Sequence, residues 1–342
     1  MTTSAPQKKN DQTYFCNAPF AQMLLAPTGK IHPCCFHFGY TLGQSQQDWQ
    51  ELWNGGAIRK LRREFMQGKV KTCRSRIFNL ACHKNFAYLD DQVEIAEYQQ
   101  KQPLRLDIRL NGRCNLSCVM CDVWQQPNRV YDESFFWQKG PQEIFPYLRE
   151  IDVLGGEPFI QKDTFRLIRL MAKINPAVAF SFVTNANYAG IQRIFTHLDY
   201  IRLKSLQISL DAMSPSVYQK VRASSQFTQV LENAEKYARY RHQRQQTGEK
   251  IQLKFSFCVL QHNWQELPQF FEYCHQQNAT PELQFAFYDP SQRSSLFYLP
   301  TSELTQVYDY LQKACQQRDQ LYLESILRPI RQRLFRQAPP HQ

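Results

Sequence analysis

The fold of this chain is decided by the stretch "LRLDIRLNGRCNLSCVMCDVW", residues 104–124. It begins with the pattern of a short apolar strand and continues with Cys114, Cys118 and Cys121 in a C-x3-C-x2-C spacing. In parallel α/β barrels, the chemistry is carried by loops that follow the carboxyl ends of the strands. We therefore expect the three thiols to lie together at that face of a sheet.

Strand and helix patterns alternate regularly from this stretch onwards. Amphipathic segments such as "KDTFRLIRLMAKI" and "FTQVLENAEKYARY" lie between apolar strand patterns. The strand patterns are LRLDIRL, EIDVLGG, AFSFVTN, SLQISLDA, IQLKFSFCVL and ELQFAFY. Repeated βα units indicate a parallel sheet, and six units fit an incomplete barrel better than a full one of eight. The predicted fold class is α/β, with a partial (β/α)6 TIM-type barrel.

The N-terminal region has a different pattern. Strand-like pieces "MLLAP" and "KIHPCCF" flank the turn "TGK", and the segment "QDWQELWNGGAIRKLRREFMQG" has helical periodicity. This hairpin and helix have too few apolar positions for a core of their own, so we expect a metal site to stabilise the module. The predicted segments are a disordered tail (1–12), the metal-binding module (13–95), the barrel core (104–290), and a C-terminal helical extension with a basic tail (291–342).

Composition narrows the function classes. The chain has 342 residues, 43% of them hydrophobic, which is enough for one large core or a core with a satellite domain. It lacks a secretory signal and an apolar run of about 18 residues, so we expect a cytoplasmic protein without a membrane partner. In a reducing compartment, 11 cysteines indicate metal or redox chemistry. We interpret the net charge of +11 as solvated basic faces, and do not expect a nucleic-acid partner.

The three clustered cysteines have other possible explanations, namely buried free thiols or half of a zinc site. Structural zinc takes four ligands, and no evident fourth ligand follows Cys121 closely. Three thiolates on a cluster of four irons would instead leave one iron open to a ligand.

With this spacing in this loop, the sequence resembles the radical S-adenosylmethionine (SAM) enzymes. The motifs "LGGEPF", "FVTNAN" and "SLDA" follow successive strands and resemble the SAM-binding motifs of that family. The resemblance implies that Cys114, Cys118 and Cys121 hold a [4Fe-4S] cluster. The SAM contacts that it implies are Met120, Gly155, Gly156, Glu157, Pro158, Asn185, Ser209, Asp211 and Arg222. Met120 stands where relatives often have an aromatic residue near the adenine, and methionine can fill similar space.

The chemistry implied by the resemblance is radical chemistry. The reduced cluster gives one electron to the sulfonium of SAM, a carbon–sulfur bond breaks, and a 5′-deoxyadenosyl radical takes a hydrogen atom from the substrate. The protein positions the reactants and excludes solvent, since the cofactors carry the difficult steps. The resemblance also implies a one-electron donor, such as ferredoxin or flavodoxin, as a partner. It implies no catalytic acid or base, because hydrogen abstraction leaves no signature at fixed spacing.

The N-terminal module resembles the twitch or SPASM type of auxiliary-cluster domain. The resemblance implies a second iron–sulfur cluster, with Cys16, Cys34, Cys73 and Cys82 as its ligands. Eight residues separate Cys73 from Cys82, whereas the family commonly has a close pair, and the module precedes the barrel here. A zinc site and four unrelated core thiols stay open as alternatives, and Cys35, His32, His37 or His83 could replace one of the ligands. We interpret Cys258, Cys274 and Cys315 as small buried hydrophobic residues.

The substrate implied by an auxiliary-cluster module is a ribosomal peptide or a protein side chain, to be oxidised or cross-linked, which makes a precursor peptide a possible partner. The alternative is oxidation or rearrangement of a small molecule, such as an alcohol, a sugar or an antibiotic precursor. Two further hypotheses are a nucleic-acid modifier and a metal-stapled binding protein without turnover.

Overall fold

The computed structural model describes residues 16–35, 40–70, 92–286 and 294–335. The strands are β1 (Gln22–Leu25), β2 (Lys30–His32), β3 (Gly43–Gln44), β4 (Arg105–Ile108), β5 (Ser117–Cys118), β6 (Glu150–Val153), β7 (Ala179–Thr184), β8 (Arg202–Ser209), β9 (Arg222–Ala223), β10 (Gln252–Val259) and β11 (Thr280–Phe285). The α-helices are α1 (Ala18–Ala21), α2 (Trp49–Asn54), α3 (Gly56–Met66), α4 (Phe135–Gln138), α5 (Gly140–Glu143), α6 (Lys162–Ile174), α7 (Ile191–Leu198), α8 (Pro215–Val221), α9 (Phe227–Gln246), α10 (Leu267–Gln276), α11 (Thr301–Ala314) and α12 (Gln320–Phe335).

One main sheet organises the described residues. Its nine strands have the order β11-β10-β8-β7-β6-β4-β1-β2-β3. The strands β4, β6, β7, β8, β10 and β11 are parallel neighbours in chain order, and they are the six strands that the sequence predicts. This is the partial (β/α)6 barrel, and the prediction of the fold class is confirmed.

The two faces of this sheet differ in polarity because strand residues alternate between them. On β7, Phe180 and Phe182 are buried in the hydrophobic core, whereas Ser181 and Val183 are only partly buried. On β10, Phe255 and Phe257 are buried in the same core. The core therefore lies between the sheet and its helices, and the opposite face is left for polar side chains.

The N-terminal hairpin continues the sheet of the barrel. Strand β1 pairs antiparallel with β2 across the turn at Gly29, whose φ of +82° favours glycine. On its other side β1 pairs parallel with β4, so that Met23 lies opposite Leu106. The sequence pattern predicts the hairpin but not the pairing of β1 with β4, which is made by backbone hydrogen bonds between distant segments.

The helices of the module also share the core of the barrel. Trp49 and Trp53 are buried in the same cluster as Phe145 and Ile151. The indole of Trp53 donates to the carbonyl oxygen of Lys101 at 2.8 Å, just before β4. The module is thus stabilised by packing against the barrel.

The C-terminal helices α11 and α12 pack against each other, and α12 also packs against β11. Residues 336–342 of the predicted basic tail and the predicted disordered segment 1–12 lie outside the described residues. Among the helices that the structure describes, none has the length and apolar content needed to cross a membrane.

Candidate functional site

A cavity of about 430 Å³ opens at the carboxyl ends of the barrel strands, a size typical of small-molecule sites. Most of the predicted site residues line it. These are Cys114, Cys118, Met120, Cys121, Gly155, Gly156, Asn185, Ser209, Asp211 and Arg222. The loops after four different strands therefore meet in one place, as parallel pairing requires.

The three cysteines lie in the loop after β4, on one side of the cavity. Cys118 belongs to β5, which pairs antiparallel with β9 and sets Cys118 opposite Arg222. Burial raises the pKa of all three thiols, and that of Cys118 to about 11. Since thiolates are the metal-binding form, binding of a metal cluster would release the thiol protons.

The glycine motif after β6 packs directly on this cysteine loop. A Cβ atom at Gly156 would overlap the carbonyl oxygen of Arg113, the residue before Cys114. The amide of the next residue, Glu157, donates to the same carbonyl at 2.9 Å. Only glycine allows this close approach, so the glycine motif fits directly against the backbone of the cysteine loop. The three cysteines line the same cavity and offer the soft sulfur donors that an iron–sulfur cluster takes.

Two predicted SAM contacts, Glu157 and Pro158, are not among the residues that line the cavity. The carboxylate of Glu157 is fully buried and accepts hydrogen bonds from Thr184 Oγ1 (2.7 Å), the Asn185 amide (2.7 Å) and the Phe159 amide (3.1 Å). Burial raises its pKa to about 7, against the effect of these donors. Glu157 thus ties the loop after β6 to the end of β7. Pro158 is buried and opens the short 3-10 helix Pro158–Ile160.

A buried ion pair lies beside the cysteine loop. Asp211 Oδ2 accepts from Arg222 Nε at 2.7 Å and lies 2.6 Å from Arg222 Nη2, and both residues are buried. Asp211 Oδ1 accepts from the amide of Cys258 at 2.7 Å. The amide group of Asn263 donates to the carbonyl oxygens of Asp211 and Cys258, each at 2.8 Å. These bonds fix the ends of β8 and β10 beside the cysteine loop.

Sequence reasoning missed several pocket residues. The missed residues include Arg109, Trp124, Thr184, Ser256, Cys258, Gln284 and Phe285. Cys258 was interpreted as a small buried residue, but it lines the pocket, whereas Cys274 and Cys315 are buried as expected. The available signal was position, because Ser256 and Cys258 alternate on the polar face at the carboxyl end of β10.

The predicted auxiliary ligands are only partly described. Cys34 is buried in a small cluster with Ala18, and the partly buried Cys16 packs against this cluster. Cys73, Cys82, His37 and His83 lie outside the described residues. His32 is buried near Tyr40, with its Nδ1 3.1 Å from the Tyr40 carbonyl oxygen. Within the described ranges, no three His, Cys, Asp or Glu side chains converge to hold a single metal ion. This includes the three barrel cysteines, each of which would bind a different iron of a [4Fe-4S] cluster.

Known proteins match two parts of the chain. The profile of the radical SAM superfamily matches residues 108–273, and that of SPASM, an iron–sulfur cluster-binding domain, matches residues 16–76. The second match includes Cys16, Cys34 and Cys73 and ends before Cys82.

Curated relatives match part of the chain at low identity. A GTP 3′,8-cyclase of Clostridium botulinum is 27% identical over 139 residues, which cover 38% of this chain and 42% of the relative. A GTP 3′,8-cyclase of Nautilia profundicola is 24% identical over 138 residues, 36% of this chain and 40% of the relative. The chain thus spans about two fifths of the length of these relatives.

Among solved structures, SuiB of Streptococcus suis bound to its precursor peptide SuiA is 14% identical with a TM-score of 0.46, covering 79% of this chain and 62% of SuiB. The enzyme anSMEcpe with bound AdoMet and a peptide is 18% identical with a TM-score of 0.45, covering 64% of this chain and 61% of that one.

The two profile matches fall on the cysteine loop of the barrel and on the N-terminal hairpin. This chain belongs to the radical SAM superfamily and has a SPASM-type iron–sulfur domain at its N-terminus.

Proposed function

We propose that this radical SAM enzyme binds SAM in the 430 Å³ cavity and uses it to abstract a hydrogen atom from a peptide or protein side chain. Cys114, Cys118 and Cys121 hold the SAM-cleaving [4Fe-4S] cluster, and the N-terminal module holds a second cluster.

One observation carries the proposal. The cysteine loop and the motifs after β6, β7 and β8 come from segments up to about a hundred residues apart, yet they line a single cavity. A metal-stapled binding protein has no need for this convergence, because a structural site requires its ligands but no neighbouring ligand pocket.

The cavity offers SAM both apolar and polar side chains. The bound cluster would supply one electron to the SAM sulfonium. Met120 offers a soft apolar surface for the adenine, and Ser209 and Ser256 offer hydroxyl groups to the ribose. The buried pair of Asp211 and Arg222 holds its part of the cavity lining in place, which favours orientation of the reacting atoms.

A peptide or protein substrate is supported by the SPASM-type module, which shares the sheet and the core with the barrel. A small-molecule substrate is the second candidate. The matched curated relatives are GTP 3′,8-cyclases.

The first test is formation of 5′-deoxyadenosine from SAM by anaerobically reconstituted protein with a strong reductant. We expect slow formation by the wild type and none by Cys118→Ala, since the cluster then loses a ligand. Equal formation by both proteins would refute the assignment of the cluster.

The substrate is tested in the same assay with peptides encoded beside the protein and, separately, with GTP. A mass change in a peptide supports the peptide proposal. A product from GTP alone overturns it in favour of the small molecule.

A further inference from the structure

We propose that Asn185 is a positioning residue whose side-chain amide donates a hydrogen bond to the sulfur of Cys114 and thereby raises the reduction potential of the cluster held there. This inference rests on the proposed function, because it needs a cluster on Cys114. It assigns to Asn185 a role towards the cluster rather than only towards SAM.

The geometry links the end of β7 to the first cysteine. Asn185 Nδ2 lies 3.7 Å from Cys114 Sγ and 3.0 Å from Asn115 Oδ1. A second donor, the amide of Leu116, lies 3.4 Å from the same sulfur. Asn185 is buried, with 7% of its surface exposed, so water competes little for these contacts.

The orientation of the Asn185 amide is determined from both sides. Its Oδ1 accepts from the amide of Asn187 at 2.8 Å, which leaves the NH₂ group to face Cys114 and Asn115. Its backbone amide donates to the buried carboxylate of Glu157 at 2.7 Å. An asparagine flipped by half a turn would set its NH₂ against the Asn187 amide, so the hydrogen-bond network selects this orientation.

A hydrogen-bond donor that points at a cluster sulfur stabilises the reduced cluster more than the oxidised one. The reduced cluster carries one more negative charge, and an N–H group pointing at sulfur stabilises that charge. Loss of the donor should therefore lower the equilibrium constant for reduction. We expect a change of up to about tenfold, which corresponds to about 59 mV for a one-electron couple.

The experiment is a redox titration of the reconstituted holoenzyme, followed by electron paramagnetic resonance in the absence of SAM. Without SAM, a lost SAM contact cannot change the midpoint potential. The signal that is missing from Cys118→Ala is assigned to the cluster in the barrel. The variants are Asn185→Leu, which removes the donor, and Asn185→Asp, which keeps an oxygen for Asn187 and turns a negative oxygen towards Cys114. The control is Asn187→Leu in the same loop, since the Asn187 side chain accepts from the Gln226 amide.

We expect the midpoint potential to fall in the order wild type, Asn185→Leu, Asn185→Asp, with Asn187→Leu close to the wild type. Equal potentials for the wild type and Asn185→Leu, or a higher potential for Asn185→Asp, would overturn the inference. If Asn185→Leu does not load iron, the smaller neutral variant Asn185→Ala replaces it, and an Asn185→Ala potential equal to that of the wild type would overturn the inference. If Cys118→Ala retains the full signal, it is the proposed cluster site that fails.

Discussion

At the scale of single residues, buried polar groups shape this site as much as those that line it. Glu157 lies in the glycine motif, yet its carboxylate is satisfied by groups at the end of β7 and by the Phe159 amide. Buried polar groups of this kind hold neighbouring loops in one arrangement. The role that we assign to Glu157 is to hold the loop and Asn185 in place.

The raised pKa of Glu157 predicts a pH dependence of stability. The folded protein holds this proton up to about pH 7, above the ordinary value of 4.5. Its contribution to stability is therefore full below about pH 4.5 and is lost as the pH rises through about 7, up to roughly 3 kcal/mol. In Glu157→Gln this dependence should disappear.

The measurement is thermal unfolding from about pH 5.5 to about pH 8, with Glu157→Gln and the exposed Glu133→Gln as a control. The melting temperature of the wild type should fall relative to Glu157→Gln as the pH rises. Parallel curves for the two proteins would contradict the assignment.

At the scale of elements, the site depends on contacts between loops rather than within them. The loop after β6 touches the loop after β4 at Gly156, where any side chain would overlap Arg113. A methyl group there must displace the cysteine loop, because the obstructing atom belongs to the backbone.

Substitution Gly156→Ala is therefore expected to impair the barrel cluster. Overpacking of this kind costs about 1–3 kcal/mol, and the displaced cysteine loop should bind iron poorly. We expect the iron content to fall towards the level of Cys118→Ala. Gly56→Ala is the matched control, since a Cβ atom at Gly56 meets nothing within 4 Å, and it should load iron normally. Normal iron content in Gly156→Ala would show that the loop tolerates the shift.

At the scale of the whole molecule, the N-terminal module and the barrel are joined by extensive contacts. They share a sheet through β1 and β4, and a core through Trp49 and Trp53. An ion pair between Lys139 and Asp48 also joins them. Disturbing the module should therefore weaken the barrel.

We expect Trp53→Ala to destabilise both parts, by about 3–5 kcal/mol for removal of a buried tryptophan. Hydrogen exchange measured by mass spectrometry at increasing denaturant reports on each part separately. Peptides from residues 22–66 and from β6 to β8 should lose the same amount of protection, and Tyr200→Ala, at an exposed position, should lose little. Loss confined to the module would mean that it unfolds by itself.

Local patterns in the sequence predicted much of this molecule. Periodicity and spacing predict the six barrel strands and the hairpin around Gly29, because strands and turns are set by neighbouring residues. They also place Cys114, Asn185 and Ser209 at the carboxyl ends of β4, β7 and β8. Prediction failed where a residue lacks such a local pattern. Cys258 resembles an apolar strand residue by type, and only its place in β10, on the same face as Ser256, brings it to the pocket.

The sequence by itself determined the family, the six barrel strands and the loop that bears the three cysteines, since these depend on spacing along the chain. Only the tertiary structure decided that β1 joins β4, that Cys258 lines the cavity whereas Glu157 does not, and that Asn185 faces Cys114. The physical reason is that burial and hydrogen-bond direction arise between segments far apart in the chain, and they exist only once the sheet has brought those segments together.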